Sequence, residues 1–420
     1  MKPQVTFRWF GRAMVASFVW LLASCGGGGG KSDGSPPPAV STPPVTGANV
    51  QTLRVGPGPA GLSVRVVNLL YTSVRLCMPG TDTCQTIDHV LVDTGSTGLR
   101  LLSTAVTLPL PVATAEGKSL YNCVQFIDQS YMWGPVASAD VYLGGPALDG
   151  EKAANLRIQL AGSAGAPAAP SVCASGGFTP NDSPSALGAN GILGVGTAPQ
   201  DCGIGCELNP ANGVYHVATG GGALTGVAVS QAEQLQHPVS RFAVNHNGVL
   251  IHMPAVAATG AASATGAMIF GIGTQPNNAP GTVRVMAPNV NGYFTTTFNG
   301  RTLSRGFVDS GSNGWFFGTD TEPTYPPCSN APQWYCPSSA LNLQAVNSSV
   351  NGQTSTVDFA IANANTLFSN AATYALSNLA GPVGDDTAFD FGLPFFYGRQ
   401  VYTAISGAST PLGTGPYVAY

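Results

Sequence analysis

Two segments of this chain repeat each other, and each carries a carboxylate. The first, VLVDTGSTGL, spans residues 90–99, and the second, GFVDSGSNGW, spans residues 306–315. In each, an apolar run ends at an aspartate, Asp93 or Asp309, which is followed by a hydroxyl residue, a glycine and a second hydroxyl residue. One copy alone would fit an aspartate that caps a turn at the end of a strand. Two copies with matching apolar flanks indicate a pair that works together.

The chemistry expected of such a pair is acid–base catalysis. An apolar strand delivers each aspartate to a buried position, where an isolated charge is costly. If the two turns meet, the carboxyl groups cannot both ionise at close range, so they share a proton and titrate as a pair. One then acts as general base towards a water molecule, and the other as general acid towards a carbonyl oxygen. We therefore expect amide hydrolysis without a cofactor, a metal or a covalent intermediate, and the sequence leaves the assignment of base and acid open.

The residues beside the aspartates suit this role. Gly95 and Gly311 allow a tight approach of the backbone at each turn. Hydroxyl groups next to a carboxylate can hydrogen-bond it and fix its rotamer. The hydroxyl residues expected to do so are Thr94, Ser96, Ser310 and Ser312.

The elements that must position these turns are predicted to be strands. The chain of 420 residues contains 54 glycines and 33 prolines, and only 9% of its residues are charged, which is typical of an all-β protein with many turns. Apolar runs such as 243–251 and 268–272 are bounded by Gly, Pro or Asn, and no stretch shows sustained helical periodicity. The length favours two packed lobes. No basic or repetitive stretch indicates nucleic-acid binding.

At these residues the chain resembles the pepsin-like aspartic peptidases, in which each of two lobes contributes one Asp-Thr/Ser-Gly-Ser/Thr turn. Further segments follow in that family's order: residues 190–196 and 391–396 resemble its two bracing segments, 242–244 and 267–271 its strand pair closing the first lobe, and 291–306 its hairpin before the second turn. The resemblance implies a bilobal fold of two β-barrel-like lobes with a central cleft. It implies an N-terminal lobe over 51–274 and a C-terminal lobe over 275–420. It also implies an endopeptidase that binds extended polypeptide as a monomer, since one chain carries both turns.

Some residues depart from that family. It covers its cleft with a hairpin flap that carries a Tyr next to a Gly, whereas residues 126–134 here read FIDQSYMWG. Tyr131 and Trp133 are the flap candidates, and the alternative is that both aromatic residues simply pack within a hairpin. Asp128 of the same segment would alter the titration of the pair if it lay nearby. Leu393 stands where the family often has an aspartate.

These departures keep two other function classes open. The first is a pepsin-fold surface lipoprotein that is catalytically weak or inactive and binds peptide or glycan. The second is a structural or adhesive surface protein with unrelated β-sandwich domains. A single cleft with both turns touching at its floor would exclude the second.

The first fifty residues predict export. Three basic residues precede a short apolar run, 13–23, which is typical of a signal peptide and short for a membrane span. Residues 22–25, LASC, resemble a bacterial lipobox, so we expect a signal peptide over 1–24 and a lipid anchor on Cys25. The Gly/Pro-rich stretch 25–50 is predicted to be a disordered tether. The residue after Cys25 is Gly26 rather than Asp, which favours anchoring in the outer membrane, with the domain facing the periplasm or the exterior.

Eight cysteines remain when Cys25 is set aside, and an even number in an exported chain indicates disulfides. Three pairs are close enough in sequence to staple single loops, which leaves the fourth by elimination, although spacing alone does not determine the connectivity. The candidate pairs are Cys77–Cys84, Cys202–Cys206, Cys328–Cys336 and Cys123–Cys173. The rival reading, a zinc site, lacks any Cys-x-x-Cys pair and any clustering of histidines with cysteines.

Overall fold

The computed structural model describes residues 38–42, 45–62, 64–219, 222–318 and 325–420. Over these residues the chain consists mainly of β-strands, and its α-helices are only four or five residues long. The expected all-β class is therefore confirmed. The helices are α1 (Ser171–Ala174), α2 (Pro184–Leu187), α3 (Ile204–Leu208), α4 (Ala364–Phe368) and α5 (Leu393–Phe396).

All fifteen described strands before residue 271 belong to one large sheet of 18 strands. These strands are β1 (Val40–Ser41), β2 (Val50–Val55), β3 (Leu70–Cys77), β4 (Cys84–Asp93), β5 (Thr97–Leu102), β6 (Thr114–Ala115), β7 (Lys118–Gln125), β8 (Ser130–Leu143), β9 (Glu151–Ala161), β10 (Thr179–Pro180), β11 (Gly191–Val195), β12 (Tyr215–Ala218), β13 (Leu224–Gly226), β14 (Gly248–His252) and β15 (Ala264–Phe270).

The later strands divide between the large sheet, a second sheet and two short hairpins. They are β16 (Val285–Met286), β17 (Phe294–Phe298), β18 (Arg301–Val308), β19 (Trp315–Phe317), β20 (Pro327–Cys328), β21 (Ala331–Tyr335), β22 (Leu341–Ser348), β23 (Thr354–Ile361), β24 (Ala380–Gly381), β25 (Ala388–Phe391), β26 (Gln400–Ala404), β27 (Ser409–Thr410), β28 (Gly413–Thr414) and β29 (Tyr417–Ala419). The second sheet has seven strands in the order β23-β22-β17-β18-β25-β19-β24.

The first Asp turn connects β4 to β5, and β11 lies between these two strands. β11 pairs in parallel with β4, which sets Gly194 opposite Asp93, and it pairs antiparallel with β5. Val90 and Val92 of β4 are fully buried in the core, so the apolar run anchors the strand that ends at the aspartate. A Cβ at Gly194 would lie 2.7 Å from the backbone nitrogen of Thr97, so this position requires glycine.

The second Asp turn is built in the same way. It connects β18 to β19, and β25 pairs in parallel with β18 and antiparallel with β19. Phe389 and Phe391 of β25 are fully buried, and Trp315 of β19 packs edge-on against Phe391. A Cβ at Gly392 would lie 2.1 Å from the carbonyl oxygen of Gly314. Both segments expected to brace the turns therefore lie beside them.

A run of antiparallel strands in the large sheet joins the two ends of the chain. Its order is β2-β15-β14-β26-β29-β16. The expected division into lobes at residues 274/275 does not separate the sheets, because β16, β26 and β29 lie in the large sheet with strands from the first half. These segments are held there by backbone ladders such as Leu250 opposite Tyr402.

The expected tether over 25–50 is wrong for its described part, residues 38–42 and 45–50. β1 pairs in parallel with β15, and the Val40 nitrogen donates to the Ser263 oxygen at 2.9 Å. The Val40 side chain also packs against the core. Backbone hydrogen bonds to the edge of β15 and the apolar contact of Val40 thus order this Pro-rich stretch. The predicted signal peptide 1–24 and Cys25 lie outside the described residues.

Residues 242–244 were expected to form a strand, and this is also wrong. A 3-10 turn, Pro238–Arg241, precedes them, and the strand β14 begins only at Gly248. Between them, the side chain of Asn247 donates to the carbonyl oxygen of Ile272 at 3.1 Å and accepts from its nitrogen at 2.7 Å. Side-chain hydrogen bonds to the backbone replace a ladder here.

The eight cysteines form four disulfides within the described residues. Three close short loops, and the fourth joins β7 to α1. The pairs are Cys77–Cys84, Cys202–Cys206, Cys328–Cys336 and Cys123–Cys173. This connectivity is the one that the spacing favoured.

Candidate active site

The first turn holds its carboxylate with two hydrogen bonds. The backbone nitrogen of Gly95 donates to Asp93 Oδ1 at 2.7 Å, and the Ser96 hydroxyl donates to Asp93 Oδ2 at 2.5 Å. The Asp93 side chain is therefore fixed in one rotamer, and the residue is 6% exposed.

The second turn repeats this arrangement. The backbone nitrogen of Gly311 donates to Asp309 Oδ1 at 2.8 Å, and the Ser312 hydroxyl donates to Asp309 Oδ2 at 3.0 Å. Asp309 as a whole residue is partly exposed, whereas Asp93 is buried. The two local hydrogen-bond sets are the same, residue for residue.

The other two hydroxyl residues join one turn to the other. The Thr94 nitrogen donates to Ser310 Oγ at 3.1 Å, and the Ser310 nitrogen donates to Thr94 Oγ1 at 2.9 Å. Each hydroxyl then donates onward to the strand of the opposite unit, Thr94 to the Val308 oxygen at 3.3 Å and Ser310 to the Val92 oxygen at 2.8 Å. These four buried bonds lock the two turns face to face.

The carboxyl groups come close enough to influence each other. A Cβ at Gly95 would lie 2.8 Å from Asp309 Cγ, and a Cβ at Gly311 would lie 2.8 Å from Asp93 Oδ1, so each glycine is set against the carboxylate of the opposite turn. Burial raises the pKa of Asp309 well above its usual range, and the negative charge of Asp93 adds to this rise. The structure thus brings together all eight residues expected at the site: Asp93, Thr94, Gly95, Ser96, Asp309, Ser310, Gly311 and Ser312.

The two flap candidates lie in the hairpin β7–β8, near its disulfide. Trp133 is 9% exposed, stacks on Tyr121 and donates from Nε1 to the Pro167 oxygen at 2.8 Å. Tyr131 packs in the same small cluster, beside Cys123 and Cys173. Trp133 therefore packs within the hairpin, which is the alternative that the sequence left open for both aromatic residues.

The hairpin instead presents a different aromatic residue to the wall of the first turn. Phe126, which directly follows β7, packs against the cluster that contains Leu91 of β4 and Ile192 of β11. Asp128, at the tip, accepts from the nitrogen of Ser130 at 2.9 Å and from its hydroxyl at 2.6 Å. This carboxylate is therefore occupied in shaping its own turn.

A third carboxyl group does lie at the pair, and it is one that the sequence analysis missed. Asp390 on β25 is 3% exposed, and its charge is among the causes that raise the pKa of Asp309. The sequence signal was a single aspartate between Phe389 and Phe391 in an apolar bracing segment. A buried carboxylate in that setting needs a reason.

Two kinds of feature are absent from the described part of the chain. No group of three or more His, Cys, Asp or Glu side chains there has the arrangement of a metal site. None of the helices in that part has the length and apolar character needed to cross a membrane.

The chain matches a known protein family over nearly all of its described residues. Residues 45–420 match the family DUF3443, described as a protein of unknown function. The chain belongs to this family. No curated protein matches it. The match begins five residues before β2 and runs to residue 420, so both Asp turns and both bracing strands lie within the matched region.

Proposed function

We propose that this protein is an aspartic endopeptidase whose catalytic pair is Asp93 and Asp309. The observation that carries the proposal is the placement of two hydrogen-bonded carboxyl groups against each other by turns that hydrogen-bond to one another. A structural cap needs one aspartate and no partner. A carboxyl group that raises the pKa of the carboxyl group facing it is a costly arrangement for stability, and such arrangements concentrate at functional sites.

The proposed reaction divides the roles between an ionised and a protonated carboxyl group. The ionised group removes a proton from a water molecule, whose oxygen attacks the amide carbon, while the protonated group gives its proton to the carbonyl oxygen. The resulting tetrahedral intermediate collapses as its nitrogen is protonated, which releases an amine and a carboxylic acid. The pair returns to its starting state with one proton.

The proposed architecture is the bilobal pepsin-like one, in a monomer that binds extended polypeptide between its halves. The repeated β-turn-β unit with a bracing strand, present once in each half, supports it. We also propose that the protein is an exported lipoprotein, attached through Cys25 to the outer membrane. That part of the proposal rests on the sequence of residues 1–25.

Cleavage of a mixed peptide library by the detergent-solubilised full chain tests the activity. The assay is scanned from acidic to neutral pH, with and without a pepstatin-type transition-state mimic. Asp93→Asn and Asp309→Asn are each expected to lower kcat by at least about 10³-fold. Asp82→Asn, which changes an exposed carboxylate in the turn between β3 and β4, is the matched control and keeps full activity.

A second function, peptide or glycan binding without turnover, is favoured by the packing of Trp133 inside its hairpin. The same experiment separates the two. Cleavage that both Asn variants abolish and the mimic blocks establishes the peptidase. A folded protein that binds the mimic but cleaves nothing at any pH supports the binding function and contradicts the peptidase.

A further inference from the structure

A short segment of the first half, residues 64–68, lies against the second half of the chain, and we call it the bridging segment. Near its start, Arg65 Nη1 donates to the carbonyl oxygens of Asn370 at 2.6 Å and Thr373 at 3.0 Å. Arg65 Nη2 donates to the carbonyl oxygen of Phe368, the last residue of α4, at 3.0 Å. A guanidinium group that binds three carbonyl oxygens of the second half fixes the start of the segment there.

The end of the bridging segment is buried in the second half. Val67 packs in an apolar cluster with Leu376 and Leu379. Asn68, the next residue, is fully buried, and its backbone nitrogen donates to the carbonyl oxygen of Tyr374 at 2.8 Å. Its φ is 53°, a value that asparagine adopts more readily than most residues do. A polar side chain at this depth needs partners for its polar atoms.

The Asn68 side chain has all the hydrogen bonds that an amide can make. Nδ2 donates to the carbonyl oxygens of Asn313 at 2.9 Å and Leu376 at 2.8 Å. Oδ1 accepts from the backbone nitrogen of Leu376 at 2.7 Å and from the hydroxyl group of Tyr397 at 2.8 Å. Two donors and two acceptor positions are thus filled by four groups of the second half. The side chain is held in a single orientation.

One of these partners belongs to the second Asp turn. Asn313 lies four residues after Asp309, at the point where the turn leads into β19. Besides accepting from Asn68 through its carbonyl oxygen, Asn313 donates from Nδ2 to the carbonyl oxygen of Val67 at 3.4 Å. The bridging segment and the end of the second turn therefore exchange hydrogen bonds in both directions.

On its other side, Asn68 leads directly to the strands of the first Asp turn. The strand β3 begins two residues later, at Leu70, and Tyr71 is opposite Leu91 of β4. The strand β4 then ends at Asp93. Asn68 thus connects the two turns by a route separate from the exchange of hydrogen bonds between their hydroxyl residues.

The matching place in the first turn has different contacts. Thr97 lies four residues after Asp93, as Asn313 lies four residues after Asp309. The Thr97 hydroxyl donates to the carbonyl oxygen of Ala198 at 3.1 Å, within its own half. The contact that Asn313 makes with the opposite half is therefore more than the sequence of an Asp turn requires.

We propose that Asn68 is a positioning residue for the aspartate pair, which holds the second Asp turn at a fixed place relative to the first. It does so by binding the carbonyl oxygen of Asn313 while its own backbone leads into β3. The exchange between the hydroxyl residues fixes the starts of the two turns, and Asn68 fixes the end of the second. The effect of Asn68 on rate rests on the proposed peptidase function, whereas its effect on the distance between the carboxyl groups does not.

Asn68→Gly tests the role in catalysis, because it removes the side-chain hydrogen bonds and tolerates the positive φ. With the Asn313 carbonyl released, the second turn is expected to move, and kcat to fall about tenfold with little change in KM. The charge of Asp93 raises the pKa of Asp309, and a wider separation weakens this effect. The alkaline limb of the pH profile of kcat is therefore expected to move to lower pH. Asp390, whose charge also raises that pKa, is unchanged in the variant.

Tyr397→Phe is the matched control, because it removes one hydrogen bond to Asn68 Oδ1 and keeps the bond to Asn313. It is expected to lower the urea midpoint and to leave kcat and its pH profile unchanged. Arg65→Met loosens the bridging segment at its half-buried start and is expected to lower kcat about threefold, with the same direction of pH shift. It provides the test if Asn68→Gly does not fold. An alkaline limb that stays in place in the folded variant, or that moves equally in Tyr397→Phe, would overturn the proposal.

A titration without substrate separates this proposal from the peptidase function. In the detergent-solubilised full chain with ¹³C-labelled aspartate carboxyl groups, the Asp309 signal is identified by its loss in Asp309→Asn. In Asn68→Gly this signal is expected to titrate at lower pH than in the unchanged chain. This shift in a protein that cleaves nothing means that the peptidase proposal fails and the role of Asn68 stands. Cleavage by the unchanged chain without the shift means that the Asn68 proposal fails alone.

Discussion

The two Asp turns share their hydrogen bonds but differ in what stands behind them. In both, a glycine nitrogen and a hydroxyl group hold the aspartate, and the turns exchange matching backbone-to-hydroxyl bonds. The strands that brace them differ at one position, where β11 carries Ile192 and β25 carries Asp390. The shared features are those that the approach of two carboxyl groups requires. The difference breaks the electrostatic symmetry of the pair.

A second contrast involves another buried ionisable group. His237 is fully buried, lies next to the backbone of Val195 and Gly196 at the end of β11, and accepts from the Val239 nitrogen through Nδ1 at 3.2 Å. Burial lowers its pKa to about 4. Burial thus disfavours the charged form of an ionisable group beside each bracing strand, a base at the first and an acid at the second.

The largest expected effect tests the shared part of the comparison. Gly95→Ala and Gly311→Ala each place a methyl group 2.8 Å from an atom of the opposite carboxyl group, which must move. Misplacing a catalytic group by a fraction of an ångström is costly, so each variant is expected to lower kcat/KM by about 10²-fold or more. The measurement is peptide cleavage at the optimal pH.

Gly281→Ala is the matched control, since a Cβ there meets nothing within 4 Å. Its activity is expected to equal that of the unchanged chain. A large loss in one glycine variant and none in the other would show that only one turn is confined by its opposite carboxyl group. The symmetric geometry would then be wrong.

The pH dependence of stability sharpens the contrast between His237 and Asp390. The folded chain binds the His237 proton more weakly than the unfolded chain, so stability is complete above pH 6.5 and falls as the pH drops towards 4, by about 3 kcal/mol in all. Asp390 acts in the opposite sense. Its pKa is raised in the folded chain, so stability falls as the pH rises above its usual value near 3.8.

Urea unfolding of variants at several pH values measures both contributions. His237→Asn keeps a neutral acceptor for the Val239 nitrogen and is expected to flatten the acid-side loss, whereas Asp390→Asn is expected to raise stability at neutral pH. His246→Asn, at an exposed histidine, is the control and is expected to leave the pH dependence of stability unchanged at both acidic and neutral pH. If His237→Asn retained the full acid-side loss, the histidine would not be held neutral by burial.

Much of the site could be predicted from local patterns in the sequence. The repeated Asp turns predicted both aspartates and their glycine and hydroxyl partners, because each turn is specified by a few consecutive residues. The strands β4 and β11 followed from apolar runs bounded by glycine. The all-β class followed from composition, and the disulfide pairing was favoured by spacing.

The features of the fold and the site that the sequence did not predict depend on contacts between residues far apart in the chain. Nothing local to residues 38–42 reveals that they pair with β15, more than 200 residues away. The return of β26 to β14 crosses the expected lobe boundary for the same reason. In the sequence, nothing distinguishes Asp390 from other aspartates. Only the fold places it opposite Phe307 and Phe316 and near Asp309, which follows β18.

The smallest expected effect concerns the bonds that cross between the turns. Thr94→Val and Ser310→Ala each remove a hydroxyl group that accepts from one turn and donates to the opposite strand, and each is expected to destabilise the fold by about 2 kcal/mol. Because the two hydroxyl groups belong to one network, the double variant is expected to lose less than the sum, by about 1 kcal/mol. Urea midpoints measured beside Thr225→Val, an exposed threonine of β13, provide the comparison. Additive losses would mean that the halves are held together elsewhere, by the shared sheet β14–β26 and not at the turns.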